Sequence, residues 1–236
     1  MKILSVDSSA LVASAALAEN GHLLAEYTIN NKNTHSETLL PMIESLLGFF
    51  SLSVKDIDLF AVSNGPGSFT GVRIGTATVK GLAFASDKPC VGVSTLEAIA
   101  YNLRFHKGII CPVMNARRSQ VYTAIFRSDG ENLQRLLDDT AISISELDTL
   151  LSGYVDEIVL AGDGYELCEN GFEKTTIRYV PERMRHQSAF SVAEAAYKKY
   201  LAGKYCTDKE LAVNYLRPSQ AERERNERES NSEKAL

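Results

Sequence analysis

Two polar segments of the sequence carry residue types suited to binding an anion. The first is Asp7-Ser8-Ser9, which follows the short apolar run KILSV. An acid at the end of a strand can organise a metal ion and its water, and a glycine-containing turn lets backbone amides approach a phosphate. This turn contains no glycine, and an aspartate that caps its own turn at a strand end is the alternative. These residues leave both interpretations open.

The second segment is GPGSFTGVR, residues 65–73, which stands between an apolar run and a helical pattern. Glycines in front of a helix leave amides exposed, and the helix dipole favours an anion there. No Gly-Lys-Ser/Thr follows, so the segment is not a P-loop. A tight turn that positions and caps the helix is the alternative. A further turn, Gly162-Asp163-Gly164, fits a close approach to a ligand, although βα turns of this composition are common.

These segments supply the candidate residues for an anion or nucleotide site. They are Asp7, Ser8, Gly65, Gly67, Ser68, Thr70, Arg73, Asp163 and Gly164. Asn115-Ala116-Arg117-Arg118 forms another turn, in which Asn115 is neutral and serves poorly as a base or magnesium ligand. Arg117 and Arg118 are able to bind an anion, but exposed arginines in turns are usually only solvated.

The sequence predicts no catalytic metal. His35 and Glu37 precede the first long helix, but a helical metal motif needs a second histidine at i+4, where Leu39 stands. A lone histidine near an acid is more often a capping or hydrogen-bonding group than a ligand. The four cysteines, at positions 90, 111, 168 and 206, are scattered without a CxxC pair. We expect reduced, mostly buried thiols in a cytoplasmic protein.

Two predicted helices carry a candidate surface for a partner protein. The first, at about 37–50, has a broad apolar stripe, and the second, at about 69–85, has a face of small residues. Glycine in a helix interior costs about 1 kcal/mol relative to alanine, so such a face indicates close approach of another element. The predicted interface residues are Leu39, Ile43, Leu46, Gly71, Gly75 and Thr78. Packing of the small face against a neighbouring element of the same chain is the alternative.

The elements that position these segments alternate along the chain. A strand at 2–7 precedes a hairpin around Asn20-Gly21, which is the strongest two-residue hairpin signal. Helices at 37–50, 68–85 and from Ser94 then alternate with strands at 59–62 and 90–93. Two strands, at 109–116 and 121–127, begin a second series, which continues with a helix at 143–152, a strand at 157–161 and a helix at 191–201. This order predicts two related α/β lobes, each a mixed sheet with helices.

Composition limits the class of protein. The chain has 236 residues, of which 44% are hydrophobic and 23% charged, so it can bury a core. We expect no membrane span, because no window of about 20 residues is free of charges and turn formers. The N-terminus lacks the layout of a signal peptide. A net charge of -5 argues against an autonomous nucleic-acid binder, although the chain can contribute to a site whose positive charge comes mainly from a partner.

The predicted domains are an N-terminal lobe at 1–106, a shortened second lobe at 107–218 and a charged tail at 219–236. The tail has almost no apolar residues and is expected to be disordered or a solvated helix. We expect it to be dispensable for folding.

The sequence resembles the TsaB (YeaZ) family over most of residues 1–218. The resemblance rests on ILSVDSS, THSE followed by LLP, SNGPGSFTGVRIGTATVKGLA, STLEAIA, NARRSQVY, LAGDG and NYLRP. The segment GPGSFTGVRIG is shared with TsaD, the catalytic paralogue. TsaD-type proteins are longer and carry a His-x-x-x-His pair, of which only His35 is present here. Asn115 stands where this family is expected to have Asp.

The resemblance implies a two-lobed actin-like ATPase (ASKHA) fold. It also implies that the chain supports a catalytic partner and has no catalytic activity of its own. It implies a non-catalytic subunit that binds TsaD and acts with the ATPase TsaE. That complex forms threonylcarbamoyladenosine beside the anticodon of tRNAs reading codons that begin with adenine. Contact with tRNA is then indirect, and ATP or ADP at the partner interface is the cofactor to test. The predicted partner surface can also close on a second copy of this chain when TsaD is absent.

Two other functions remain as alternatives. A small-molecule kinase or ATPase of the actin-like fold is the main one, and the glycine-free Asp7 turn and Asn115 count against it. A peptidase built on His35 and Glu37 lacks both the second metal ligand and a nucleophile dyad.

Overall fold

The computed structural model describes residues 1–30 and 34–217. The predicted tail at 219–236, and the prediction that it is dispensable for folding, lie outside these residues. Within them the chain forms nine named strands and six named α-helices, divided between two sheets.

The first sheet has five strands in the order β3-β2-β1-β4-β5. It begins with three antiparallel strands, β1 (Lys2–Asp7), β2 (Ala13–Glu19) and β3 (His22–Ile29). Two strands parallel to β1 complete it, β4 (Leu59–Ser63) and β5 (Cys90–Val93). Asn20 and Gly21 have φ of 52° and 83° between β2 and β3, so the predicted hairpin is confirmed. Asp7 ends β1, where the apolar run stops.

Helices cover both faces of this sheet. Helices α1 (His35–Phe49) and α2 (Phe69–Ser86) pack on one face, against a core that contains Leu4 and Val6. Helix α6 (Ala189–Leu201) packs on the other face, against a core that contains Ile3. Successive β1 side chains point to opposite faces of the sheet, which is why neighbouring residues belong to different cores.

The second sheet repeats the order of the first with one strand fewer. Its order is β8-β7-β6-β9, formed by β6 (Lys107–Asn115), β7 (Gln120–Asp129), β8 (Leu133–Ser143) and β9 (Ile158–Ala161). Helices α4 (Ile144–Leu151) and α5 (Tyr165–Gly171) follow β8 and β9. A single parallel bridge between Val159 and Arg178 stands where a fifth strand would pair. The predicted pair of related lobes is therefore confirmed, and the second is shortened.

Strand β8 was not predicted from the sequence. Most of its residues are half-buried, and it carries Asp138 and Asp139, a residue type that is rare in strands. It forms an edge of the second sheet, so one side of its backbone needs no strand partner. Antiparallel pairing with β7 makes it a strand in spite of its weak local signal.

The last described part of the chain returns to the first lobe. Helix α6 packs on β1 and β2, and Cys206 pairs with Cys90 of β5 in an antiparallel bridge. Residues 188–217 therefore pack largely with the first sheet, which differs from the predicted second lobe of 107–218. Sequence order cannot show such a return, because the apolar face of a helix does not specify which sheet it covers.

The two lobes are joined by α3 (Thr95–Tyr101) and by a charged network. Leu96 of α3 belongs to the second-lobe core and Ala98 to the first. Arg135 of β8 lies 3.7 Å from the carboxylate of Glu97 and also pairs with Asp139, which accepts a hydrogen bond from the Ser94 hydroxyl. These contacts tie the second sheet to the segment that follows β5.

A buried carboxylate organises the segment after α5. Asp148 of α4 is 3% exposed and accepts hydrogen bonds from the backbone amides of Glu173, Lys174 and Thr175 at 2.9, 3.0 and 2.9 Å. Burial raises its pKa, but these bonds outweigh burial, and the net pKa lies below its ordinary value. The ionised form is therefore stabilised by folding.

We expect Asp148→Asn to destabilise the protein by about 2 kcal/mol at pH 7, because charge-assisted hydrogen bonds to a buried carboxylate are lost. The folded pKa is lowered, so this contribution is present above the ordinary pKa and disappears as the pH falls through the folded one. Urea unfolding at pH 7 and at pH 3 should show a difference from wild type that shrinks in acid. Asp138→Asn, at an exposed position, is the control, and a pH-independent difference for Asp148→Asn would contradict the assignment.

Candidate functional site

The Asp7 carboxylate is fully buried and bonded within its own lobe. Its Oδ1 accepts hydrogen bonds from the backbone amide and the hydroxyl of Ser9, at 2.9 and 2.6 Å, and its Oδ2 accepts one from the Ser63 hydroxyl. Burial raises the pKa of Asp7, and the hydrogen bonds from Ser63 and Ser9 and the nearby His35 partly offset that rise. Asp7 therefore caps the turn after β1 and ties it to β4, as the structural alternative predicted.

The start of α2 packs directly against the same turn. The Ser68 amide donates to the Ser9 carbonyl at 2.6 Å, and the Ser8 hydroxyl donates to the Gly71 carbonyl at 2.9 Å. The Ser68 side chain caps the helix by accepting from the Gly71 amide, which agrees with the alternative of a turn that caps the helix. An ideal Cβ on Gly67 would lie 2.4 Å from the Ser9 carbonyl oxygen. The lack of a side chain at Gly67 thus allows the backbone before α2 to pack directly against the backbone of the turn after β1.

The glycine face of α2 is turned inward, which corrects the predicted partner interface. An ideal Cβ on Gly71 would lie 2.0 Å from the Ser8 carbonyl oxygen, and one on Gly75 would lie 2.5 Å from the Ser8 hydroxyl. Both glycines are buried in the chain itself, and Thr78 is half-buried. The small residues serve the approach of α2 to the β1 turn, so they are not available to a facing helix of another protein.

The predicted interface residues of α1 are also buried. Leu39, Ile43 and Leu46 are at most 3% exposed and belong to the core between α1, α2 and the first sheet. The broad apolar stripe is used by that core because both α2 and the sheet pack on it. The sequence-based prediction of the interface did not include the solvent-exposed residues of these two helices. The exposed ones include Leu40 and Phe49 of α1 and Ala77, Gly81 and Phe84 of α2.

We define the outward face as the exposed α1 and α2 residues Leu40, Phe49, Ala77, Gly81 and Phe84. Leu40 is 54% exposed, Phe49 75% and Phe84 72%. Ala77 and Gly81 lie one turn apart on α2, and no atom lies within 4 Å of an ideal Cβ on Gly81. Small residues between large apolar ones allow another helix to approach closely.

The Asp7 corner does not fit a phosphate group. The amides of Ser9, Ser68 and Gly71, which are the donors that a phosphate would need, are already bonded to the protein. Thr70 is exposed on the first turn of α2, and Gly65 lies beneath the backbone of Asn214. The predicted anion site around Asp7 is therefore a packed junction between β1, β4 and α2.

Residues 206–217 follow the last named helix and form a segment that we call the C-terminal strap. The Asn214 amide donates to the Asn64 carbonyl at 2.7 Å, and the Asn64 side chain donates back to the Ala212 carbonyl at 2.9 Å. The Tyr215 ring stacks on Phe69 with centroids 4.7 Å apart, and the Tyr215 hydroxyl accepts a hydrogen bond from Nε of Arg73. The strap therefore covers the GPG loop and engages the Arg73 side chain. The sequence signal that could have indicated this packing was the pair of apolar residues Leu211 and Tyr215 in an otherwise polar segment.

The turn after the first strand of the second lobe corresponds to the Asp7 turn of the first lobe, but it has Asn115 in place of the aspartate. Asn115 ends β6 as Asp7 ends β1, and its backbone amide donates to Oδ1 of Asp163 at 3.0 Å. The Gly164 amide donates to the Val113 carbonyl at 3.1 Å. Asp163 and Gly164 thus join the ends of β6 and β9 within the second lobe, so their hydrogen bonds serve the turn itself.

Within residues 1–30 and 34–217, His, Cys, Asp and Glu side chains do not come together in any group of three that could hold a metal ion. The His35 imidazole lies 2.6 Å from the Ala10 carbonyl oxygen, which is a hydrogen-bonding contact. Over the same part of the chain, helices fall short of the length and hydrophobicity that crossing a membrane requires.

The architecture defines the class of this protein. Two mixed sheets with the same strand order, each beginning with a three-stranded antiparallel unit, form the two-lobed actin-like ATPase fold. YeaZ from Pseudomonas aeruginosa shares the fold: the comparison covers 91% of this chain and 99% of that one, with a TM-score of 0.75 and 24% sequence identity.

Sequence comparison identifies the family. The model of the family described as "TsaD: tRNA N6-adenosine threonylcarbamoyltransferase" matches residues 22–221. The tRNA threonylcarbamoyladenosine biosynthesis protein TsaB of Bacillus subtilis is 36% identical over 146 residues, 62% of this chain and 64% of that protein. TsaB of Escherichia coli is 34% identical over 56% of this chain and 58% of its own length. The chain belongs to this family, and within it to the TsaB (YeaZ) group. The matched region spans less than two thirds of these two relatives.

Proposed function

We propose that this chain is a non-catalytic subunit required for threonylcarbamoylation of the adenosine beside the anticodon in tRNAs reading codons that begin with adenine. The curated relatives are named for threonylcarbamoyladenosine biosynthesis, which supports the pathway. One structural observation supports the non-catalytic role. The corner where the fold would hold a phosphate is closed, because Asp7 and the amides of Ser68 and Gly71 bond to the protein itself.

The proposed partners are TsaD, in a heterodimer, and TsaE. The matching family is described as the threonylcarbamoyltransferase, so this chain and TsaD-type proteins share a fold that can pair with pseudo-twofold symmetry. We place the contact on the outward face instead of on the six residues predicted from the sequence. The same face can close on a second copy of this chain when TsaD is absent. A tRNA substrate and a cytoplasmic location follow from the same role.

Reconstitution tests the proposed role. Purified TsaD, TsaE, unmodified tRNA, threonylcarbamoyl adenylate and magnesium ATP should yield threonylcarbamoyladenosine only when this chain is added, as measured by mass spectrometry of digested tRNA. Assembly of the three proteins should be followed separately by size-exclusion chromatography. Equal product without this chain, from a mixture in which TsaD is shown to be folded, would contradict the proposal.

The alternative function, a small-molecule kinase or ATPase, is favoured by one observation, the position of Asp7 at the end of β1 in this fold. We expect the isolated chain to show no ATP hydrolysis above background, because the Asp7 carboxylate is buried and bonded to Ser9 and Ser63. Phosphate release by the purified protein checks this. Hydrolysis that is abolished in a folded Asp7→Ala variant would support the alternative. ATP or ADP bound between this chain and TsaD remains a separate prediction, tested by calorimetry with and without TsaD.

A further inference from the structure

The turn between β6 and β7 holds its backbone in an unusual conformation. Arg117, Arg118 and Ser119 have φ of 62°, 54° and 55°, so three successive residues other than glycine are left-handed. Each such residue costs about 1–3 kcal/mol and persists only where its surroundings hold it. The Arg117 amide donates to Oδ1 of Asn115 at 2.8 Å, and the Gln120 amide donates to the Arg117 carbonyl at 3.1 Å. The turn is therefore preorganised.

The side chains of this turn are exposed cations. Arg117 and Arg118 are exposed, and neither forms an ion pair with a carboxylate of the described residues. The acid nearest to them in the hydrogen-bond network, Asp163, accepts from the backbone of Asn115. Arg127 differs in this respect, because it pairs with Asp156 at 2.9 Å.

The C-terminal strap brings a third arginine to the turn. The guanidinium of Arg217 donates to the side chain of Gln120, the residue after the turn, and lies 5.8 Å from the Tyr122 ring centroid. We call Arg117, Arg118 and Arg217 the basic turn patch. It combines residues that are about 100 positions apart, and the contacts of the strap hold it together.

We infer that the basic turn patch binds the phosphodiester backbone of a structured RNA. Guanidinium groups match phosphate oxygens, and phosphate contacts come mainly from Arg, Lys, hydroxyl side chains and backbone amides. Ser119 places a hydroxyl in the same turn. The net charge of -5 makes the chain as a whole repel RNA, so the patch supplies a local contact to an RNA held mainly by partner subunits. The inference rests on the proposed function, which supplies the tRNA, and it changes the predicted indirect contact into a direct one.

Salt-dependent binding of unmodified tRNA to the reconstituted complex tests this inference. The patch variant, Arg117→Gln with Arg118→Gln, should bind a fluorescently labelled tRNA transcript about tenfold more weakly at 100 mM salt. The slope of log affinity against log salt should become shallower by about 1.4–1.8, since two phosphate contacts are lost. Arg127→Gln with Arg178→Gln removes the same charge from two exposed, ion-paired positions and should leave both quantities unchanged.

Further variants and readouts keep the outcomes distinct. Lysine at both positions should restore most of the slope, and Arg217→Gln, outside the strained turn, should weaken binding in the same direction. Binding to TsaD without RNA should be unchanged in every variant. If the patch variant bound tRNA with the affinity and salt slope of wild type, the inference would be overturned. The proposed function would still stand in that case, provided that the wild-type complex modifies tRNA. Loss of TsaD binding would make the patch a protein contact and overturn it as well. A wild-type complex that neither binds nor modifies tRNA would overturn both.

Discussion

Replacing Gly71 with alanine should destabilise this protein by at least about 3 kcal/mol, a large effect for one methyl group. An ideal Cβ at this position would lie 2.0 Å from the Ser8 carbonyl oxygen and 3.2 Å from its carbon. Overpacking typically costs about 1–3 kcal/mol, and a backbone carbonyl cannot move aside as a flexible side chain can. Urea unfolding should show the loss as a lower midpoint, and thermal unfolding as a fall of about 6–12 °C.

Gly81→Ala is the matched control because it lies on the same helix in open space. Nothing lies within 4 Å of an ideal Cβ there, so alanine should be neutral or should stabilise by up to about 1 kcal/mol through helix propensity. Equal stability of the two variants would show that α2 does not press on the β1 turn. A bulky side chain at Gly75 would likewise enter the space of Ser8 and Val62, so its effect would report on packing within this chain and not on a partner interface.

Ala77→Arg should weaken binding to TsaD by about 30-fold or more while leaving this chain folded. Ala77 is exposed in the middle of the outward face, so an arginine there meets only solvent in the isolated protein but would separate two facing helices. Hot spots cluster near the centre of an interface, and disruption of one costs about 2 kcal/mol or more, which corresponds to a loss of affinity of about 30-fold. Titration calorimetry with TsaD measures that loss, and the threonylcarbamoyladenosine content of tRNA should fall with it.

Leu150→Arg is the control for this second variant. It places the same side chain on α4 of the second lobe, at a position that is 47% exposed and away from the outward face. It should bind TsaD as wild type does. Circular dichroism must show that both variants are folded. A folded Ala77→Arg variant with unchanged affinity would place the TsaD interface elsewhere on the molecule.

Much of the fold follows from local patterns in the chain. The Asn20-Gly21 hairpin, the Ser68 cap and the apolar periodicity of α1 each depend on residues close in sequence, and the structure contains all three. The repeated lobe was predicted from element order. Strand β8 escaped prediction because its residues are poor strand formers and its pairing with β7 is a tertiary contact.

In the candidate site too, some features follow from the local sequence and others only from tertiary contacts. Sequence by itself determined the family, since ILSVDSS, GPGSFTGVRIG and NARRSQVY are contiguous motifs, and it located the turns at Asp7, Gly65 and Asn115. It also showed that the face with Gly71 and Gly75 requires a close neighbour. Only the tertiary structure decided which neighbour that is.

That neighbour is the turn after β1, more than 60 residues earlier in the chain, and it closes the corner that resembled an anion site. The strap likewise reaches back from Tyr215 to Arg73 and from Arg217 to Gln120. Periodicity reports that a helix face is apolar or small, but it carries no information on the element that covers it. Which residues remain exposed is settled by contacts between distant segments, so the outward face and the basic turn patch emerge only from the folded chain.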